Sequence, residues 1–97
     1  MWYIHDIRLN KIDTEFALNL DKIQSCIVHR YHTTDKRDET IEVNMYDPTG
    51  DNWWTIYSGK LSKEKLALKF LKHLSKALNS KKQLIYASKI YKKIKEK

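Results

Sequence analysis

Residues 40–78, TIEVNMYDPTGDNWWTIYSGKLSKEKLALKFLKHLSKAL, contain the change of hydrophobic period that decides the fold. In the first part of this stretch, Ile41, Val43 and Met45 alternate with polar residues, which is the pattern of a half-buried strand. From Ser62 onward the apolar residues recur at helical spacing instead. The two periods together predict strands followed by a helix that packs across them.

The same criteria, applied to the rest of the chain, predict five strands and one or two helices. Alternating or β-branched segments predict strands at residues 2–9, 15–20, 23–32, 40–46 and 53–58. The first helix begins at Ser62, a suitable N-cap, and a second amphipathic helix is predicted over residues 81–95. The predicted class is therefore α+β: an antiparallel meander of about five strands, followed by one or two C-terminal amphipathic helices, the first packed on the sheet.

The length and composition indicate one small folded domain. The chain has 97 residues, only 2 Gly and 1 Pro, and 11% aromatic residues, which excludes collagen-like and Pro-rich disordered classes. Its one cysteine, Cys26, cannot form an intramolecular disulfide, which favours a reducing compartment. No apolar run approaches the ~18 residues of a membrane span. We therefore expect a cytoplasmic protein with no integral membrane contact.

The charge is divided unevenly within this single domain, 1–97. Residues 1–59, mainly β, contain 6 Lys and Arg against 10 Asp and Glu, a net charge of −4. Residues 60–97, which are predicted to be helical, contain 13 Lys and 2 Glu, a net charge of +11. A basic segment of this density attracts polyanions, so DNA or RNA and an acidic protein surface are the candidate partners.

The candidate nucleic-acid-binding residues are lysines that share exposed helical faces. On the first helix they are Lys65, Lys69, Lys72 and Lys76, and toward the C-terminus they are Lys81, Lys82, Lys89, Lys92 and Lys93. Such a face is often only a solvated surface that keeps a domain soluble. Here, however, the Glu residues that would form ion pairs with these lysines, and so offset the repulsion between them, are mostly missing. Because the cations are Lys rather than Arg, phosphate-backbone attraction is favoured over base reading.

Two adjacent tryptophans, Trp53 and Trp54, are the aromatic candidates for the same site. Neighbouring residues on a strand point to opposite faces of the sheet, so one of the two is expected in the core. The other is either covered by another element or free to stack on a base or to anchor a protein partner.

The alternative function is a protein interaction, inhibitor or adaptor module. An apolar arc of the predicted second helix would dock on another copy or on an acidic partner, giving a homodimer through the C-terminal helix. The docking residues would be Leu84, Ile90, Tyr91 and Ile94. Membrane-surface binding by this helix is disfavoured, because its apolar arc has no Trp or Phe.

Neither an enzyme nor a cofactor or metal site is predicted. Two glycines are too few for a phosphate-binding or dinucleotide-binding glycine loop, and neither a zincin helix nor a serine elbow is present. His29 and His32 are three residues apart on a predicted strand, so their side chains point to opposite faces and could bind one ion only if the strand ended between them. Cys26 lies in the middle of a strand and is expected to be a buried, inert thiol.

A strand meander followed by a helix that begins at Ser62 resembles two groups of small domains. One is the single-stranded-DNA binders of the transcriptional coactivator type, and the other is the bacterial domains similar to pleckstrin-homology modules. The resemblance lies in the order of elements and includes no shared motif, so no family is assigned. It implies binding of nucleic acid or of protein.

Overall fold

The computed structural model describes residues 1–7 and 15–95 and confirms the α+β class. Within these ranges the strands are β1 (Trp2–His5), β2 (Phe16–Asn19), β3 (Ser25–Tyr31), β4 (Thr40–Tyr46), β5 (Trp53–Lys60) and β6 (Leu84–Tyr86). The helices are α1 (Glu64–Leu78) and α2 (Ala87–Lys95). The five predicted strands and both helices are present, although the end of the first predicted strand, residues 8–9, lies outside the described residues.

The strands form two three-stranded sheets rather than one continuous meander. The first sheet has the order β2-β1-β6, with β1 antiparallel to β2 and parallel to β6. The second sheet has the order β3-β4-β5 and is antiparallel throughout. The chain leaves the first sheet through a short 3₁₀ turn, Leu20–Lys22, where the Asn19 side chain accepts a hydrogen bond from the Asp21 N–H at 3.1 Å. This local bond ends β2 before the second sheet begins.

Strand β6 occupies residues that the periodicity assigns to the second helix. It pairs with β1, placing Ile85 opposite Tyr3, and both side chains are buried. The Trp2 N–H also donates to the Gln83 carbonyl oxygen at 2.8 Å. A segment of three residues is too short to show the alternating hydrophobic pattern of a strand. It is a strand here because it pairs with the edge of β1. Helix α2 therefore begins at Ala87.

The core lies between the second sheet and the two helices, and it extends to the first sheet. Helix α1 packs on β4 and β5, while α2 packs on α1 and β1. Phe70 of α1 is fully buried, and its ring centroid lies 5.5 Å from that of Tyr57 and 5.1 Å from that of Tyr91. These three rings join the sheet to both helices.

Burial shifts the pKa of two titratable groups in or beside the core. His5 is 2% exposed, its Nδ1 lies 2.9 Å from the Tyr3 hydroxyl oxygen, and desolvation lowers its pKa. Burial raises the pKa of the Cys26 thiol to about 11, in line with the inert thiol predicted for this position.

Candidate functional site

A basic cleft lies between the C-terminal half of α1, strand β6 and helix α2. It encloses a cavity of about 290 Å³. Its polar lining residues come from three separate segments of the chain: His73, Lys76, Ser80, Lys82, Lys89 and Lys93. Its apolar lining includes the buried side chains of Ile85 and Ile90, which belong to the core. The cleft is therefore built directly on the hydrophobic interior.

Helical spacing explains why these side chains meet. His73, Lys76 and Ala77 are three and four positions apart, so they share one face of α1. Lys89 and Lys93 are four apart and share one face of α2. Because α1 and α2 pack together, the two faces open onto the same cavity.

The charge in the cleft is of one sign. Four lysines line it, and none of its described lining residues is a carboxylate. The ion pairs formed within residues 1–7 and 15–95, Arg30–Glu64, His32–Glu39 and Arg37–Asp35, involve none of these lysines. Four ammonium groups on one concave surface create a positive potential that an anion would neutralise.

The turn between α1 and β6 contains a residue with a left-handed backbone conformation next to the cleft. The Ser80 N–H donates to the Ala77 carbonyl oxygen at 3.1 Å, which ends the helix. The next residue, Lys81, has a φ of 60°. This left-handed conformation is costly for any residue with a Cβ, and glycine would adopt it more easily. Strained residues cluster at functional sites, and this one lies between two that line the cleft.

Lys89 is held beside an aromatic ring at the start of α2. Its Nζ lies 5.3 Å from the centroid of the Tyr86 ring, within the range of a cation–π contact. Tyr86 lines the cleft as well. The contact therefore joins two residues of the cleft lining.

The N-terminus of α2 is positioned by Asp6, which follows β1. The Asp6 carboxylate accepts hydrogen bonds from the Ser88 N–H at 2.8 Å and from the Ser88 hydroxyl at 2.6 Å. Desolvation alone would raise the pKa of this carboxyl, but the two bonds from Ser88, together with the Asp6 backbone N–H and the nearby His5, outweigh it, so the net pKa shift is downward. The carboxylate therefore caps α2 from another part of the chain, as an N-cap side chain does locally.

We expect Asp6→Ala to destabilise the protein by about 1 kcal/mol, since the first turn of α2 loses its capping acceptor. Urea denaturation followed by circular dichroism measures this change. Asp21→Ala removes the same charge from an exposed position without touching α2 and is the matched control. Since the pKa of Asp6 is depressed, its stabilisation is complete above the ordinary value of 3.8 and disappears as the pH falls through the lower folded value. Equal losses for the two variants at neutral pH would contradict this capping role.

The structure brings together some of the predicted lysines and separates others. All nine are exposed. Those that line the cleft are Lys76, Lys82, Lys89 and Lys93. Those outside its lining are Lys65, Lys69 and Lys72 on earlier turns of α1, Lys81 in the turn, and Lys92 on α2.

Neither predicted tryptophan lines the basic cleft. Trp53 is 56% exposed on the outer face of the second sheet, where its ring centroid lies 6.1 Å from that of Tyr46. Trp54 is half-buried and packs against the core, as expected for one of the pair. The exposed indole of this pair is therefore not part of the cleft that four of the predicted lysines line.

The predicted docking face on the C-terminal helix is not a surface in the folded chain, and this prediction is corrected. Ile90 and Ile94 are each 4% exposed and belong to the core. Tyr91 is half-buried, and its hydroxyl donates to the Ile56 carbonyl oxygen at 3.2 Å. Leu84 is 46% exposed but lies on β6 rather than on the helix. The apolar arc of α2 closes the domain's own core.

Sequence reasoning missed several residues of the site. His73 shares the helical face of Lys76 and could have been found from the same spacing. Tyr86 was assigned to a helix, so its place beside Lys89 was not foreseen. Asp6 lies 82 positions from Ser88, and no local pattern relates the two.

No family model matches the chain, and neither a curated protein nor a solved structure has detectable similarity to it. Among the described residues, no helix has both the length and the apolar character needed to cross a membrane.

Proposed function

We propose that this protein binds nucleic acid without sequence preference, as a non-enzymatic module that holds the phosphate backbone in the basic cleft. The observation that carries the proposal is the convergence of four lysines from α1, the following turn and α2 on one cavity of about 290 Å³. A solvated helix face needs no such convergence, because lysines that only confer solubility can point in any outward direction.

The chemistry of the cleft favours phosphate over base edges. A lysine ammonium group is a compact point charge, whereas the planar guanidinium of arginine is suited to bidentate hydrogen bonding with a base. The fixed charges of the cleft come from lysine alone among its described lining residues. Contacts of this kind position a backbone and carry no sequence information.

The salt dependence of binding tests the proposal directly. If the four cleft lysines neutralise four phosphates, the slope of log Kobs against log salt is about −3.6 for duplex and about −2.8 for single strands. Raising the salt from about 50 to about 200 mM then weakens duplex binding about 150-fold and single-strand binding about 50-fold. Fluorescence anisotropy with short labelled DNA and RNA of mixed sequence measures both slopes. Absence of binding at low salt would refute the function.

A competition experiment separates nucleic acid from an acidic protein as the partner. Polyglutamate carries carboxylates at high density and represents an acidic protein surface. Preferential displacement of the labelled strand by unlabelled nucleic acid, at equal total charge, supports the proposal. Equal displacement by polyglutamate would favour the acidic protein instead.

A further inference from the structure

Trp2 is an exposed indole beside the basic cleft. It lies on β1, the central strand of the first sheet, yet its side chain is 44% exposed. The register places it opposite Leu84, which is 46% exposed and lines the cleft. Paired strands are about 4.8 Å apart, so the Trp2 backbone lies one strand spacing from that of Leu84, a residue of the cleft lining.

The backbone of Trp2 is held rigidly from both sides. On one side its N–H donates to the Gln83 carbonyl oxygen at 2.8 Å, and on the other the residue pairs with Asn19 of β2. A large aromatic side chain on a fixed backbone loses little conformational entropy when a ligand stacks on it.

We infer that Trp2 is a stacking platform for an unpaired base, and that the preferred ligand is therefore single-stranded nucleic acid. This inference rests on the proposed function, because the cleft must hold the adjoining phosphates. In a duplex both faces of each base are covered by neighbouring pairs, whereas a single strand can turn one base out of its stack. A positively charged groove beside an aromatic platform is the usual combination in proteins that bind single strands.

Trp53 provides a matched control on the same molecule. It is more exposed than Trp2, at 56% against 44%, but it pairs with Tyr46 in the second sheet, whereas Trp2 pairs with Leu84 of the cleft lining. If any exposed indole were sufficient for stacking, Trp53 would contribute at least as much as Trp2.

The binding test compares Trp2→Ala with Trp53→Ala on single strands and on duplex. We expect Trp2→Ala to weaken single-strand binding about 5- to 150-fold and to leave duplex binding and both salt slopes unchanged. Trp53→Ala should change none of these values. Trp2→Phe, which keeps an aromatic face, should restore most of the single-strand affinity and guards against a folding defect in Trp2→Ala.

A fluorescence measurement reports on Trp2 itself. Because the chain has 3 Trp, a Trp53→Phe/Trp54→Phe variant leaves Trp2 as the sole indole. Stacking on a base should quench its emission when oligothymidine is added, and heparin at equal charge should not. Salt-sensitive binding of oligothymidine without quenching, or equal quenching by heparin, would overturn the inference and leave the proposed function standing. If no nucleic acid binds, both are refuted.

Discussion

A variant with Lys76→Glu, Lys89→Glu and Lys93→Glu is expected to bind nucleic acid about a thousandfold more weakly than the parent at about 50 mM salt. The three lysines line the basic cleft from α1 and α2. At that ionic strength, each lost phosphate contact removes about one logarithmic unit of affinity, because one fewer counterion is released. The new carboxylates add repulsion in the same place, so the thousandfold loss is the lower end of the expectation.

The control for this variant is Lys65→Glu, Lys69→Glu and Lys72→Glu. It makes the same change in charge, which lowers the net charge from +7, but at three positions of α1 that do not line the cleft. We expect less than a tenfold loss, from long-range attraction alone. Equal losses for the two variants would mean that binding follows the net charge of the molecule and not the cleft. All six positions are exposed, so circular dichroism should show both variants folded.

The largest expected effect on stability is that of Phe70→Ala. The Phe70 side chain is fully buried and contacts the rings of Tyr57 and Tyr91, which belong to the second sheet and to α2. Removing it leaves a cavity where the three elements meet, at a cost of about 3–5 kcal/mol in the free energy of unfolding. A domain of this size has a total stability of about 5–15 kcal/mol, so the variant should lose a large share of it.

Urea denaturation of Phe70→Ala and Leu68→Ala measures the difference. Leu68 lies on the same helix but is 43% exposed, so its truncation should change the free energy of unfolding by about 0.5 kcal/mol or less. A loss of stability below about 1 kcal/mol for Phe70→Ala would show that α1 does not close the core as described. Tyr91, which contacts Phe70, lies on α2, and α2 forms one wall of the basic cleft. The void left by Phe70→Ala should therefore loosen that wall and lower the affinity for nucleic acid.

Local patterns predicted the elements well where a segment has one clear period. Ile41, Val43 and Met45 alternate along β4 and are all buried, and Phe70 and Leu74 of α1 fall in the buried arc of the helix. In both cases, the side chains on one face of the element pack against the core. The spacing of the apolar residues in the sequence therefore indicates which face is buried.

The prediction failed where a contact across the sequence overrode the local period. The helical period places Leu84, Ile90 and Ile94 in one arc of a single helix. In the structure, Leu84 instead pairs with β1 in a sheet, and Ile90 and Ile94 are buried in the core. The same contact pairs Trp2 with Leu84, which lines the cleft, while Trp53, which local reasoning favoured, pairs with Tyr46 in the second sheet.

The sequence by itself determined the α+β class, the positions of most strands and helices, and the presence of lysine faces on the C-terminal part of the chain. These properties follow from the spacing of neighbouring residues, which a helix or a strand converts directly into a face. Only the tertiary structure decided that four of those lysines open onto one cavity, that β6 joins β1, and that Asp6 caps α2 across 82 positions. The physical reason is that such contacts form when the core packs and brings distant segments together, so no local pattern records them.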